Sequence, residues 1–232
     1  MKRVRQFLDY AASNPDAVVT YRASDMILAT HSDASYLSET KARSRAGGHF
    51  FLSENDEYPA NNGAVLTISQ IIKAVMSSAA EAELGALYIN SREAIPQRHL
   101  LEEMGHQQPP TPMQVDNSTA LGVVKKTIQQ KQTKAMDMRF HWMQDKCNQE
   151  HFLVYWKPGI NNLADYFSKH HPAHHHKHMR STYLINLINA RDQTLFPGQA
   201  CKGVQLQPIL HTQPGTKSDG QNRAIAKPHK LL

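Results

Sequence analysis

Cysteine is scarce in this chain of 232 residues, which contains only Cys147 and Cys201. The two lie far apart, and neither has a second ligand residue at the spacing of a metal site. The sequence therefore excludes a disulfide framework and a cysteine-based zinc module. We expect two reduced thiols in a cytosolic protein.

Long apolar runs are also absent. No stretch approaches the roughly 18 consecutive apolar residues that a membrane helix needs. The first ten residues are basic, but no long apolar segment follows them, so they do not predict a secretory signal. We therefore expect no membrane partner.

Acidic residues are outnumbered by basic ones, 20 against 26, which gives a formal net charge of +6. This balance favours a polyanionic partner. Aromatic residues make up only 7% of the chain and hydrophobic residues 40%, which fits a globular part diluted by polar tails. The length allows one domain of about 150 residues with extensions.

The first third of the chain predicts a short helix followed by strands. Residues 2–12 place apolar side chains at helical spacing, and Pro15 stops them. Segments rich in branched and apolar residues then predict strands at 18–21, 26–32, 49–52 and 64–68. Residues 35–45 read as a polar loop. Short connections between the later strands predict an antiparallel meander.

A long helix is predicted from about residue 76 to 104, with one apolar stripe at a period of 3.6 residues. Pro96 should kink or split this helix. Glu81 and Glu83 are two positions apart and so fall on opposite flanks of the stripe. Periodicity alone does not choose between them.

The second half of the chain alternates strand and helix again. A strand ends at Asp116, and Asn117 or Ser118 can cap the helix that follows. Residues 151–156 predict another strand, which a turn connects to a helix bearing Asp165. Six histidines then crowd into residues 170–178, where a zinc site is disfavoured because it has no cysteine partner and no clean pair of ligand sets.

Four acids lie at or near the ends of these predicted elements: Asp33 after a strand, Glu83 on a helix, Asp116 at a strand end and Asp165 on a later helix. Singly, each is an ordinary turn, cap or surface residue. Gathering four acids is unfavourable without a cation because like charges raise each other's pKa. Their order therefore predicts a site for a hard divalent metal ion.

The four acids lie in the short motifs 32–35 (SDAS), 81–84 (EAEL), 115–118 (VDNS) and 161–165 (NNLAD). A fifth segment, 133–141 (TKAMDMRFH), carries none of these acids but adds to the resemblance. With these motifs, residues 2–172 resemble the ribonuclease H domain of a copia-like LTR-retrotransposon Pol polyprotein. The resemblance selects Glu83 over Glu81.

The resemblance implies an α/β, ribonuclease H-like fold: a mixed five-stranded sheet, three antiparallel strands then parallel strands, flanked by helices. It implies three regions. Residues 1–24 would be a helix and lead-in strand that end a reverse-transcriptase connection region, residues 25–172 the ribonuclease H-like domain, and residues 173–232 a His-rich, basic and partly disordered tail.

The implied activity is metal-dependent endonucleolytic hydrolysis of the RNA strand of RNA–DNA hybrids, as part or remnant of a reverse-transcriptase polyprotein. Two Mg²⁺ or Mn²⁺ ions would activate water and stabilise the phosphate. On the resemblance, Asp33 would bridge both ions, Glu83 and Asp116 would complete one coordination shell, and Asp165 would hold the other.

The implied partners are an RNA–DNA hybrid and the reverse-transcriptase domain of the parent polyprotein, with no small-molecule substrate. Localisation would be cytoplasmic, within a virus-like particle for an intact element, with the nucleus as the alternative. Six basic residues could follow the phosphates of the hybrid with salt-sensitive, sequence-independent affinity: Lys41, Arg43, Lys125, Lys126, Lys131 and Lys134.

Alternative functions stay open at this point. The chain could be a catalytically silent, nucleic-acid-binding relic of the same fold. A proofreading exonuclease would need an acid two residues after Asp33, where Ser35 stands, and an integrase would have Glu as its last acid. The chain also departs from the copia-like family, with Ala135 in place of a frequent His, and from the cellular ribonuclease H branch, whose His-bearing loop does not fit the short segment 157–160. Neither departure removes a metal ligand.

Overall fold

The structure is a computed structural model that describes residues 2–125 and 134–186. In chain order its helices and strands are α1 (Lys2–Ser13), β1 (Ala17–Val18), β2 (Ile27–Glu39), β3 (Arg43–Ser53), β4 (Ala64–Ile71), α2 (Ala79–Glu103), β5 (Thr111–Val115), α3 (Ser118–Val124), α4 (Lys134–Asn148), β6 (Phe152–Trp156), α5 (Asp165–Ser168), α6 (Ala173–Tyr183) and β7 (Ile185–Asn186).

Five of these strands form one mixed sheet in the order β4–β3–β2–β5–β6. β2, β3 and β4 pair antiparallel, while β5 pairs parallel with both β2 and β6. The predicted fold class is therefore confirmed: three antiparallel strands are extended by parallel strands, as in the ribonuclease H-like fold. The parallel strands place their C-terminal ends at the same edge of the sheet.

The sheet is covered on both faces. Successive residues of a strand face opposite sides, and Gly47 and Gly48 on β3 show which element covers each. A Cβ on Gly47 would lie 2.4 Å from the carbonyl oxygen of Ala164, whereas one on Gly48 would lie 2.3 Å from Oδ1 of Asn90. Because Asn90 belongs to α2 and Ala164 directly precedes α5, these two helices pack on opposite faces.

The hydrophobic core lies between the sheet and α2. Leu28 and Phe50 on the strands and Leu87 on α2 are fully buried, and Met113 of β5 joins the same cluster. Burying one such side chain contributes roughly 1.5–3 kcal/mol. Partly buried side chains of α4, including Trp142, pack against this cluster.

Helix α2 begins at a well-formed cap and runs through its proline, within the predicted range of about 76 to 104. The Ser78 hydroxyl accepts a hydrogen bond of 3.1 Å from the N–H of Glu81. Pro96 lies inside a helix that runs unbroken from Ala79 to Glu103, so of the two predicted effects the split is excluded and the kink stays a prediction. Ala94 and Leu101, on either side of the proline, are buried, and this packing offsets the lost hydrogen bond.

The sequence misplaced the end of the strand that carries Asp33. Asp33 lies in the middle of β2, which continues to Glu39, so the predicted polar loop at 35–45 was wrong. The chain reverses in a single turn over Thr40–Ala42, with Lys41 in the left-handed region at φ 59°. The pairing of β2 with β3 explains the extension, because β3 supplies partners as far as Glu39.

Segments from the two ends of the described chain also pair. β1 and β7 form a two-stranded antiparallel sheet, and Arg180 of α6 donates a hydrogen bond of 2.6 Å to Oδ1 of Asn14. Residues 173–186, which the sequence assigns to the tail, thus form a helix and a strand. The remainder of that tail lies outside the described residues. Among the described helices, none combines the length and apolar character needed to cross a membrane.

Candidate metal centre

Two of the carboxylates singled out in the sequence lie level with each other on neighbouring parallel strands. β2 pairs with β5 in a register that puts His31 beside Gln114. Continued by two residues, this register puts Asp33 level with Asp116, which directly follows β5. Asn117 then accepts a hydrogen bond of 3.0 Å from an N–H in the first turn of α3, so the capping that was predicted after Asp116 is present.

Glu83 supplies a third carboxylate from helix α2. The N–H of Ala34 donates a hydrogen bond of 3.2 Å to Oε1 of Glu83, while its Oε2 is buried and has no hydrogen-bond partner among the described residues. Glu81 has a different role, since Ser77 donates both its N–H and its hydroxyl to Oε2 of Glu81. The structure thus separates two acids that helical periodicity could not distinguish.

Asp33, Glu83 and Asp116 each place one carboxylate oxygen within 4.8 Å of the others. Asp33 and Glu83 are only 1% and 7% exposed. Burial raises the pKa of Asp33 to about 6, and burial together with the charges of Asp33 and Asp116 raises the pKa of Glu83 to about 9. Burial also raises the pKa of the half-buried Asp116. The three acids therefore resist ionising together.

Asp165 approaches these acids from the opposite face of the sheet, as the first residue of α5. It is not one of the three carboxylates grouped within 4.8 Å. Its Oδ1 accepts a hydrogen bond from the ammonium group of Lys169, and that ammonium lies 4.0 Å from Oδ2 of Asp33. Ser168 donates its hydroxyl to the same Oδ2. Lys169 thus connects Asp165 to Asp33.

Hydrogen bonds to β2 and α6 hold the segment before Asp165 in place. The N–H of Leu163 donates to Nδ1 of His31 at 3.1 Å, and the side-chain amide of Asn162 donates to a carbonyl of β2 at 2.8 Å. Tyr183 donates to the carbonyl of Leu163 at 2.7 Å. Burial above all lowers the pKa of His31 to about 3, so its neutral ring can accept this hydrogen bond.

Trp156, the last residue of β6, and Gly159, in the loop that follows, contact Asp116. The indole N–H of Trp156 donates a hydrogen bond of 2.9 Å to the carbonyl oxygen of Asp116. A Cβ on Gly159 would lie 2.7 Å from Oδ2 of Asp116, so only glycine leaves the carboxylate free in its present position. The short loop at 157–160 therefore forms one wall of the acidic cluster.

The donor set fits a hard divalent cation. All the converging atoms are carboxylate oxygens, which Mg²⁺ and Mn²⁺ prefer. A bound cation would satisfy Oε2 of Glu83, which has no hydrogen-bond partner among the described residues, and a buried polar atom without a partner is costly. A bound cation would also lower the raised pKa values of Asp33 and Glu83.

The six basic residues predicted to contact nucleic acid come from separate parts of the molecule. Lys41 is exposed at the turn between β2 and β3, and Arg43, at the start of β3, donates to the carbonyl oxygen of Lys73. Lys125 is exposed just after α3. Lys126 and Lys131 lie outside the described residues, as does the side chain of Lys134, whose backbone begins α4.

Sequence reasoning missed Ser168 and Lys169, which contact the acids directly. One signal was present for Lys169, because it lies four positions after Asp165, the spacing at which helical side chains pair. Its approach to Asp33 is a tertiary contact that spacing does not reveal. Gly47 and Gly159 were missed as well, since their role lies in the neighbours that approach them.

Comparison with curated proteins finds sequence similarity to a Pol polyprotein. The retrovirus-related Pol polyprotein from transposon TNT 1-94 of Nicotiana tabacum is 26% identical over 166 residues, which is 72% of this chain and 12% of that polyprotein. This chain resembles a segment of a retrotransposon Pol polyprotein. The predicted resemblance is confirmed at that level, and the narrower copia-like assignment stays a prediction. The chain spans only a small part of this relative's length.

Two solved structures resemble the fold in part. LC11-RNase H1, isolated from compost by a metagenomic approach, is 13% identical with a TM-score of 0.46, covering 61% of this chain and 92% of that one. The N-terminal RNase H domain of a Mycobacterium tuberculosis protein is 14% identical with a TM-score of 0.44, covering 61% and 91%. No family model matches the chain. The fold assignment rests on the strand order described above.

Proposed function

We propose that this chain is a metal-dependent ribonuclease H that cleaves the RNA strand of RNA–DNA hybrids within a retroelement Pol polyprotein. The observation that carries the proposal is the convergence of Asp33, Glu83 and Asp116 within 4.8 Å at one edge of the sheet. Oε2 of Glu83, one of the three residues, is buried and has no hydrogen-bond partner in the described part of the chain. The sequence relationship to a Pol polyprotein supplies the context.

The acids would hold two Mg²⁺ or Mn²⁺ ions, one on Asp33, Glu83 and Asp116 and the other on Asp33 and Asp165. When bound, such ions activate a water molecule for attack on the phosphodiester and neutralise charge on the phosphate and the leaving oxygen. The protein itself contributes by holding the ligands of the ions in place. Hydrogen bonds from Ala34 and Trp156 fix Glu83 and the backbone of Asp116, so the ligands need little rearrangement.

The substrate would approach from the solvent-exposed side of Asp116, which is half-buried, unlike the deeply buried Asp33. Lys41 at the exposed hairpin turn and the basic residues after α3 would hold the hybrid through its phosphates. Such contacts give affinity without sequence preference. The reverse-transcriptase domain of the parent polyprotein would be the natural protein partner.

The test is hydrolysis of an RNA–DNA hybrid labelled on either strand, with Mg²⁺ or Mn²⁺. We expect cleavage of the RNA strand alone and a fall of at least about 100-fold in Asp33→Asn and Asp116→Asn, because each removes a ligand to the ions. Asp145→Asn is the matched control: Asp145 is exposed on α4 and contacts only Gln149 among the hydrogen bonds described.

Equal activity in wild type and the two ligand variants, or activity that survives removal of metal by EDTA, would refute the proposal. The alternative is a silent, nucleic-acid-binding relic, and one observation favours it: Lys169 already offsets charge on Asp33 and Asp165, so the acidic cluster can fold without metal. Hybrid binding without cleavage in Mg²⁺ and Mn²⁺ would support that alternative.

A further inference from the structure

We propose that the ammonium group of Lys169 occupies the position between Asp33 and Asp165 and competes there with the second divalent ion. This inference rests on the proposed function, because it concerns the same acidic site. It predicts that the site binds one ion tightly and a second only when Lys169 moves away.

The contacts of Lys169 carry this inference. Its ammonium forms an ion pair with Oδ1 of Asp165 and lies 4.0 Å from Oδ2 of Asp33. Those are the two carboxylates assigned to the second ion. Asp33 would be shared with the first ion, whose other two ligands, Glu83 and Asp116, form no ion pair with Lys169 among the described residues. A single positive charge therefore already stands in the half of the site that faces α5.

Three acids act on this lysine, from α5, from β2 and from the residue after β5. Burial alone would lower the pKa of Lys169, but the hydrogen bond that it donates to Asp165 and the negative charges of Asp33, Asp165 and Asp116 raise the pKa above its ordinary value. Lys169 in turn opposes the rise in the pKa of Glu83. The ammonium thus stays charged and acts on all four acids.

Lys169 can also leave. Its side chain is 44% exposed, and the residue follows the end of α5 in an extended conformation. A long, flexible side chain at such a position reaches solvent without moving the backbone. Ser168, which is buried beside it, keeps its hydrogen bond to Asp33 when Lys169 withdraws. Making room for the second ion therefore requires only a movement of the Lys169 side chain.

The experiment measures Mn²⁺ binding by electron paramagnetic resonance of the free ion, on the full chain without nucleic acid. In the wild type we expect the second dissociation constant to exceed the first by at least about tenfold. Lys169→Met should tighten the second site by about tenfold and leave the first nearly unchanged. Lys169→Arg keeps the charge and should retain the wild-type ratio.

Lys157→Met is the matched control. It removes one lysine from the same end of the sheet, but the Lys157 ammonium lies 4.6 Å from the ring centre of Tyr58 instead of among the acids. It should bind Mn²⁺ like the wild type. A second readout is thermal: without metal Lys169→Met should melt at a lower temperature than the wild type, and excess Mn²⁺ should raise its melting temperature by more.

Should Lys169→Met fail to fold, Mg²⁺ titration of the wild type by NMR of its lysine side chains replaces it. The Lys169 signal, identified by its loss in Lys169→Arg, should move during the second equivalent and not the first. Two ions of equal affinity in the wild type, or a Lys169 signal unaffected by Mg²⁺, would overturn this inference and leave the nuclease proposal standing. No Mn²⁺ binding in any variant would overturn both.

Discussion

Gly47 lies directly opposite Asp33 in the pairing of β2 with β3. A Cβ at Gly47 would come within 2.4 Å of the carbonyl oxygen of Ala164 and 2.8 Å of the N–H nitrogen of Ser168. The start of α5 can therefore rest on the sheet only because this position has no side chain. That close approach brings Ser168 and Asp165 to the side of Asp33.

The first prediction follows from this contact. Gly47→Ala should push α5 away from the sheet and destabilise the fold by roughly 1–3 kcal/mol, the usual cost of overpacking. Urea unfolding monitored by circular dichroism measures the loss, and Mn²⁺ affinity should fall with it. Gly85→Ala serves as control, since its Cβ would meet the flexible end of Met76 at 3.3 Å and Ile72 at the ordinary contact distance of 3.5 Å. Unchanged stability in Gly47→Ala would show that α5 does not depend on this approach.

The second prediction concerns pH in the absence of metal. Because the pKa of Glu83 is raised to about 9, folded Glu83 holds its proton at pH values where the unfolded chain has lost it, and stability falls as pH rises. Below about pH 6.5 the lowered pKa values of His31 and His49 act in the opposite direction. The clean window is therefore pH 7 to 9.

In that window, with EDTA present, we expect the free energy of unfolding to fall by up to about 1.4 kcal/mol per pH unit, the limit for one proton. Glu83→Gln cannot ionise, so its stability should be nearly flat from pH 7 to 9 and should exceed that of the wild type at pH 9. A wild-type curve as flat as that of Glu83→Gln would contradict the raised pKa.

The third prediction tests the wall formed by the loop at 157–160. Gly159→Ala should leave the fold intact, because the atom it meets is the end of the Asp116 side chain, 2.7 Å away. The carboxylate must turn aside, so Mn²⁺ affinity should drop by about tenfold or more, of the order expected when a supporting contact of a ligand is lost. Calorimetric titration measures the Mn²⁺ affinity. An affinity equal to that of the wild type would show that Gly159 does not restrict the position of the Asp116 carboxylate.

The fourth prediction tests a nucleic-acid contact. In an Asp33→Asn background, Lys41→Ala should weaken binding to an RNA–DNA hybrid and reduce the slope of log affinity against log salt by about 1, the effect of one phosphate contact. Fluorescence anisotropy at several salt concentrations gives the slope. Lys146→Ala, at the end of α4, is the control and should keep the wild-type slope. Equal slopes in both variants would show that Lys41 does not contact a phosphate of the hybrid.

The sequence predicted the order of the elements from β2 to β6, and the family motifs selected the acids Asp33, Glu83 and Asp116, which the structure brings together. Asp116 follows a strand end and Glu83 lies near the start of α2, where local signals are clear, whereas Asp33 lies in the middle of β2. The extent of β2 beyond Asp33 was not predictable, because it depends on pairing with β3. The same applies to Lys169, whose helical spacing from Asp165 was visible while its approach to Asp33 depends on how α5 rests on Gly47.

The pairing of β1 with β7 sets an order of assembly. Ala17 lies beside Asn186, so a chain emerging from the ribosome must be made almost as far as residue 186 before this small sheet can close. The five-stranded sheet is complete by Trp156 and can form earlier. Phe7 of α1 is 68% exposed even with this small sheet closed, so the late pairing joins the two ends of the described chain without covering the apolar side of α1.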